Sequence, residues 1–330
     1  MKIIGIGNAL VDVLVKLPDA NLLSELGIDK GSMNLVDEDL KDAIMKKISS
    51  AGKQMTTGGS ISNTMLALRN LGEPSSFIGK VGNDDLGEFY LREMTGSGVT
   101  MHVIYEDQPS GCAVAMITPD GERTFCTYLG AAANMRKQDL KNTYFESYTH
   151  LYVEGYLVQN HELIETAMQI AKSFNQTVML DLASFNVVAA DRDFLMHLID
   201  NYVDIVFANE DEATALTGKP AAEAIHDIAH KVKIAVVKEG DRGSWIKKGH
   251  EIIHVPVYRK IHPVDTTAAG DYYAAGFFYG LIHGANLEKC AETGSLLSYY
   301  IIQVVGTKLQ DEVWTEIRTK VNEIIGRKEK

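Results

Sequence analysis

The sequence predicts an α/β protein built on a mainly parallel sheet covered by helices on both faces, with one small antiparallel sheet inserted. Three observations predict it. Short Val- and Ile-rich runs without polar alternation recur along the chain, as expected of strands buried on both faces. Segments with helical periodicity separate them, the pattern of parallel strands joined by crossovers. One stretch departs from this pattern, where two alternating arms flank Pro119-Asp120-Gly121, a hairpin turn signal.

In chain order, the candidate buried strands are Lys2–Gly7, Leu151–Gly155, Val178–Leu182, Ile205–Ala208 and Ile234–Lys238. Ser60–Leu71 has Ile61, Met65 and Leu68 at helical spacing, and Gly72 supplies its stop. His161–Phe174 and Ala221–Val232 read as further helices, and Tyr272–His283 as a well-packed helix ending at Gly284. The hairpin arms are Cys112–Thr118 and Glu122–Leu129. They place Ala113, Ala115 and Ile117 on one face, and Phe125, Thr127 and Leu129 likewise. Such a β-rich excursion is a candidate flap or lid. With no low-complexity linker, internal repeat or sharp composition change, residues 1–330 read as one domain.

Composition limits the partners. The chain has 330 residues, 45% of them hydrophobic, ample for a large core, and its formal net charge is −12. That balance argues against duplex DNA or an anionic membrane, which favour clustered Lys and Arg. Cys112, Cys126 and Cys290 lack C-x-x-C spacing, so neither a disulfide framework nor a zinc site is suggested. The N-terminal run is interrupted by Asp12 and has no small-residue cleavage site, so it does not read as a signal peptide. The uncharged stretches fall short of the roughly 20 apolar residues a membrane span needs. A soluble cytoplasmic protein is expected.

Five constellations could carry chemistry. Asp265-Thr266-Thr267-Ala268-Ala269-Gly270-Asp271 leads straight into a helix. Small residues there let a ligand approach the backbone, and the amides of Ala269, Gly270 and Asp271 would point at an anion. Asp271 would repel a phosphate, so it reads either as acceptor of a hydroxyl proton or as an ordinary first-turn carboxylate. Gly58-Gly59-Ser60-Ile61-Ser62-Asn63 opens another helix, either a loop for a polyhydroxylated ligand or a glycine turn with a Ser cap. Asn8 and Asp12 follow the first strand, where ligands of parallel sheets sit, though Asp12 could equally cap a turn. Asn209-Glu210-Asp211-Glu212 suits either a helix start or Mg²⁺ held through water. Lys238-Glu239-Gly240-Asp241-Arg242-Gly243 is a turn that could line nucleotide phosphates. No G-x-x-x-x-G-K-[ST] segment occurs, and Gly5-Ile6-Gly7 lacks the third glycine of a dinucleotide fingerprint.

Together these residues resemble the PfkB/ribokinase family over nearly the whole chain. Gly58–Gly72 is similar to its first signature and Asp265–Gly280 to its second, D-T-x-G-A-G-D, with Asn209–Glu212 between them. The Asn8/Asp12 spacing, Lys30–Met33 and Thr118–Thr124 are most similar to the adenosine-kinase-like branch. The resemblance implies a ribokinase-like three-layer α/β/α sandwich with a β-sheet lid at about 13–36 and 98–130. It implies an ATP-dependent kinase acting on the primary hydroxyl of a sugar or nucleoside, with Mg²⁺ and a monovalent cation such as K⁺ as cofactors. Asp271 would be the catalytic base and the amides of Ala269, Gly270 and Asp271 the anion hole. Asn8, Asp12, Gly58, Gly59 and Asn63 would hold the acceptor, joined by Arg123 when the lid closes. Asn209 and Glu212 would organise Mg²⁺ through water, and Lys238, Gly240, Gly243 and Ala268 would line the ATP site. Ala268 stands where the family signature has glycine, a strain on the order of 1 kcal/mol if φ is positive there. A homodimer through the lid is expected.

The acceptor is the open question. Met33 and Phe125 suit stacking against a purine or packing the lid on the core. The Asn8/Asp12 spacing favours adenosine or a related purine nucleoside. The alternatives are a sugar kinase acting on ribose or fructose, and a ligand-binding regulator that kept the fold without catalysis.

Overall fold

The computed structural model describes residues 1–49, 51–120 and 122–327. Nine strands form one sheet. Its order is β14 (Glu251–Val255), β13 (Ser244–Lys248), β12 (Ile234–Lys238), β11 (Ile205–Asn209), β10 (Thr177–Asp181), β9 (His150–Glu154), β1 (Ile3–Ile6), β5 (Ser75–Gly82) and β6 (Thr100–Glu106). Every pairing is parallel except those of the β13 and β14 edge strands. The first strand sits in the middle, with Ile4 opposite Leu151 on one side and Ser76 on the other.

Alternate residues of these strands feed two separate cores, which explains why the runs are apolar at every position. Ile3, Phe77, Tyr152, Met179 and Phe207 pack on one face, against α3 (Ser60–Asn70), α4 (Asp85–Gly96), α10 (Ala269–Ile282), α11 (Leu287–Ile301) and α12 (Asp311–Ile325). Ile4, Ile78, Leu151, Val178 and Val206 pack on the other. There they meet α5 (His161–Ser173), α6 (Phe185–Ala190), α7 (Arg192–Asn201), α8 (Glu210–Thr217) and α9 (Ala221–Ala229). The result is the expected three-layer α/β/α arrangement. Helix α10 begins three residues before the periodic segment read from sequence, so Ala269–Asp271 form its first turn.

The second sheet has five strands in the order β3 (Met33–Leu35), β8 (Arg123–Tyr128), β7 (Gly111–Ile117), β2 (Leu10–Lys16) and β4 (Lys53–Gly58). Helices α1 (Asn21–Glu25) and α2 (Glu38–Lys47) connect its segments. Two expectations need correction. The sheet is mixed rather than antiparallel, because β2 pairs parallel with β7, and β3 with β8. Within the expected lid segments, β6 belongs to the large sheet, while β4, outside them, completes the small one. The hairpin itself forms, Thr118 N donating to Glu122 O at 3.0 Å. Its Gly121 lies outside the described residues.

One face of the small sheet, through Val11, Val13, Val15, Val114 and Met116, joins the core beneath α3 and α10. The opposite face, with Asp12, Ala113, Ala115 and Phe125, looks into a cleft. The three cysteines are free and buried. Among the described residues no helix is long and apolar enough to cross a membrane.

Candidate active site

Five neighbouring parallel strands deliver polar residues to one rim. Asn8 follows β1, Glu154 ends β9, Asp181 ends β10, Asn209 ends β11 and Lys238 ends β12. This is the carboxyl edge of the sheet, where ligands of parallel α/β folds collect. Above it the first turns of α3 and α10 meet, bringing together two glycine-rich segments that lie some 200 residues apart in sequence.

Asp271 stands at that meeting point. Ser60 Oγ donates to its Oδ1 at 2.6 Å, and Asn63 Nδ2 to its Oδ2 at 2.9 Å. Thr64 Oγ1 donates to the Asp271 carbonyl at 3.0 Å, locking the two helices together. Burial pushes the Asp271 carboxyl up to about 6, helped by the charge of Asp181, while Ser60, Asn63 and the Lys238 ammonium oppose the shift. The side chain is therefore an ionisable group held ready near neutral pH, a feature of proton acceptors.

Ala268 does adopt the left-handed conformation, with φ 62°. Of the three amides expected in the anion hole, that of Ala269 is occupied, donating to Thr266 O at 3.2 Å to close the turn. The amides of Gly270 and Asp271 find no acceptor among the described residues, so two of the three expected donors remain free for a ligand.

The glycine pair has a steric reason. Gly59, at φ 92°, leads into α3, and a Cβ there would overlap the Asn8 carbonyl. A Cβ at Gly58 would overlap the Asp12 carboxylate, which reaches it diagonally across the β2–β4 pairing, Gly58 itself lying opposite Leu10. Asp12 is pushed up to about 7 by burial, then by the charges of Asp271 and Asp265. Asn8 is fixed by Glu154, its Nδ2 donating to Oε1 at 2.7 Å, and burial raises Glu154 to about 7.

Asn209 and Glu212 form a reciprocal helix cap. Glu212 N donates to Asn209 Oδ1 at 2.8 Å, while Asn209 N and Nδ2 donate to Glu212 Oε2 and Oε1 at 2.8 and 2.7 Å. Burial, with the charge of Asp181, raises Glu212 to about 7. Among the described residues no three His, Cys, Asp or Glu side chains cluster as a metal site. Arg123 pairs with Asp265 and donates to Val264 O at 3.3 Å, tying the small sheet to the loop before α10.

Two cavities meet at Asp271. One, of about 540 Å³, is lined by Lys238, Gly240, Gly243, Ala268 and Gly270, with Asn209 and Glu212 at its floor. The other, of about 1110 Å³, lies under the small sheet and takes in Asn8, Asp12, Gly59, Asn63, Arg123 and Phe125. Ser60, Tyr156 and Asp271 line both. Apolar Leu14, Leu35, Phe125 and Leu129 of the small sheet and its flanks line this same cavity. The side chain of Met33 lies outside the described residues. Sequence reasoning missed Glu154, Tyr156 and Asp181, and took Ser60 only as part of the glycine-rich loop, without its contact to Asp271. The signal for two of them was present, since Glu154 and Asp181 are each the single polar residue ending an apolar run.

Comparisons with known proteins bear on the family and the fold. Residues 31–314 match the family described as pfkB family carbohydrate kinase. The crystal structure of adenosine kinase from Sinorhizobium meliloti superposes with a TM-score of 0.85 at 32% identity, covering 97% of this chain and 99% of that one. Adenosine kinase 1 of Arabidopsis thaliana is 26% identical, covering 92% of this chain and 94% of its own. An uncharacterized sugar kinase from Archaeoglobus fulgidus is 29% identical over 74% of this chain and 97% of its own.

Proposed function

This chain belongs to the pfkB family of carbohydrate kinases, and from that premise we propose that its preferred acceptor is a purine nucleoside such as adenosine. The chain is a phosphotransferase that uses ATP and an alcohol acceptor. The observation that carries the site assignment is Asp271, which lines both cavities at the point where they join. ATP occupies the smaller cavity and the nucleoside the larger.

Asp271 takes the proton of the primary hydroxyl as that oxygen attacks the γ-phosphorus. The new O–P bond forms as the bond to the β–γ bridging oxygen breaks, and ADP leaves. The amides of Gly270 and Asp271 and the dipole of α10 stabilise charge on the transferring group. Asp12, Asn8 and Asn63 hold the ribose hydroxyls, with Gly58 and Gly59 leaving room for close approach. The small sheet excludes water, the competing acceptor. Mg²⁺, when bound with ATP, neutralises phosphate charge. It keeps most of its own waters and needs few protein ligands, so Asn209 and Glu212, already committed to each other, suit contact through water. Edge strands β3 and β4 would pair a homodimer, against which a monomer in micromolar light scattering would count.

The purine preference is supported by the apolar wall of Leu14, Leu35, Phe125 and Leu129 beside the polar ribose clamp, since a purine ring lays more flat apolar surface on such a wall than a free sugar does. The similarity to adenosine kinases supports it further. The test is a coupled assay across adenosine, other nucleosides, ribose, fructose and hexoses. Adenosine should exceed ribose or fructose in kcat/KM by at least about tenfold, roughly 1.4 kcal/mol of discrimination. A clear preference for a free hexose would overturn the nucleoside assignment.

A further inference from the structure

Lys238 ends β12 and turns its ammonium into the smaller cavity, with only 16% of the side chain exposed. Its Nζ lies 3.0 Å from where a Cβ on Gly270 would stand, against the first turn of α10. A buried cation beside a helix N-terminus sets like against like, since that end of the helix dipole is positive. The arrangement is favourable only with negative charge near both. Arg259 and Lys260, the other cations on this cavity, are exposed at its rim.

The countercharge is built in. Asp181 Oδ2 lies 3.6 Å from Lys238 Nζ. Asp181 is itself held on two further sides. Tyr152 OH donates to Oδ2 at 3.1 Å, and the Ala183 amide donates to Oδ1 at 2.9 Å. Ala183 adopts φ 65°, a left-handed conformation that an alanine keeps only where its surroundings impose it. Burial alone would lower the Lys238 ammonium, but Asp181, Glu212 and Asp271 outweigh it and hold it above its ordinary value.

We propose that Asp181 is a positioning residue that holds the Lys238 ammonium over Gly270, where it binds the transferring phosphoryl group together with the amides of α10. This rests on the placement of the nucleotide phosphates in the smaller cavity. Lys238 touches the phosphoryl oxygens, whereas Asp181 acts on them through Lys238. A side chain at Gly270 would press on the ammonium and displace it by a few tenths of an ångström.

A double-mutant cycle on kcat tests the proposal, run with whichever acceptor the wild type turns over fastest. An error in the nucleoside assignment then shows in the acceptor panel alone. Lys238→Ala should lower kcat by about a hundredfold, the scale of losing one transition-state charge contact. Asp181→Asn should lower it about tenfold in the wild type but less than about twofold beside Lys238→Ala, with acceptor KM little changed in both. Added ethylammonium should restore turnover to Lys238→Ala and fail once Asp181→Asn is present. Asp181→Glu, which keeps the charge, is run in parallel should the Asn variant not fold, and any loss it shows should likewise vanish beside Lys238→Ala. Equal losses from either Asp181 variant in both backgrounds, or an unchanged kcat in Asp181→Asn, would overturn the proposal.

Discussion

Single residues set the chemistry through their surroundings. Asp271 is a carboxylate that burial has moved to about 6, within reach of two hydrogen-bond donors that hold it in one orientation. Asp271→Asn should lower kcat at least about a hundredfold while acceptor affinity, measured by calorimetry, largely survives. Because the proposed base must be ionised, kcat/KM in the wild type should fall as pH drops through about 6. Asp12 behaves differently. It keeps its proton to about pH 7 when folded but only to about 4 when unfolded, so its contribution to stability is lost progressively as pH rises between those values. Without ligand, Asp12→Asn should therefore raise the melting temperature more at pH 8 than at pH 5, while weakening acceptor binding. An equal shift at both pH values would contradict the role of burial at Asp12. Neither shift was legible in the sequence, which names the carboxylates but not their neighbours.

At the scale of elements, the decisive feature is the pair of helix starts at α3 and α10. The motifs that open them are legible as small residues before an apolar helix, a pattern that taken singly also fits an ordinary capped turn. What the sequence left open was which amides remain free, since the Ala269–Thr266 hydrogen bond depends on the turn that Ala268 makes. That turn carries backbone strain, and Ala268→Gly should stabilise the protein by on the order of 0.5–1 kcal/mol, read as a higher melting temperature. A lower one would mean that the left-handed conformation is not kept in solution. The buried strands were legible from their continuous apolar runs. The small sheet was less so. Strand β4 (KQMTTG) joins it, and β6 (TMHVIYE) joins the large sheet instead, through long-range pairing that no local pattern records.

At the scale of the molecule, the strand order places β1 between β5 and β9, so the ends of strands far apart in sequence converge on one rim. This is why Glu154 and Asp181 escaped the sequence reading while Asn8 and Asp271 did not. The core beneath α3 and α10 runs without a break from Phe77 and Tyr152 into Val13 and Val114 of the small sheet. We read the chain as one cooperative unit, and thermal unfolding followed by far-UV circular dichroism and by calorimetry should give a single coincident transition. Two separate transitions would assign the small sheet its own stability. The proposed function turns on two cavities joined at one carboxylate, the smaller assigned by the proposal to ATP and the larger to a nucleoside. Phosphorus NMR of the wild-type protein with MgATP and adenosine tests it most directly. The account predicts ADP and a new phosphomonoester on the ribose primary hydroxyl, formed in equal amounts; ADP with inorganic phosphate and unmodified adenosine would contradict it.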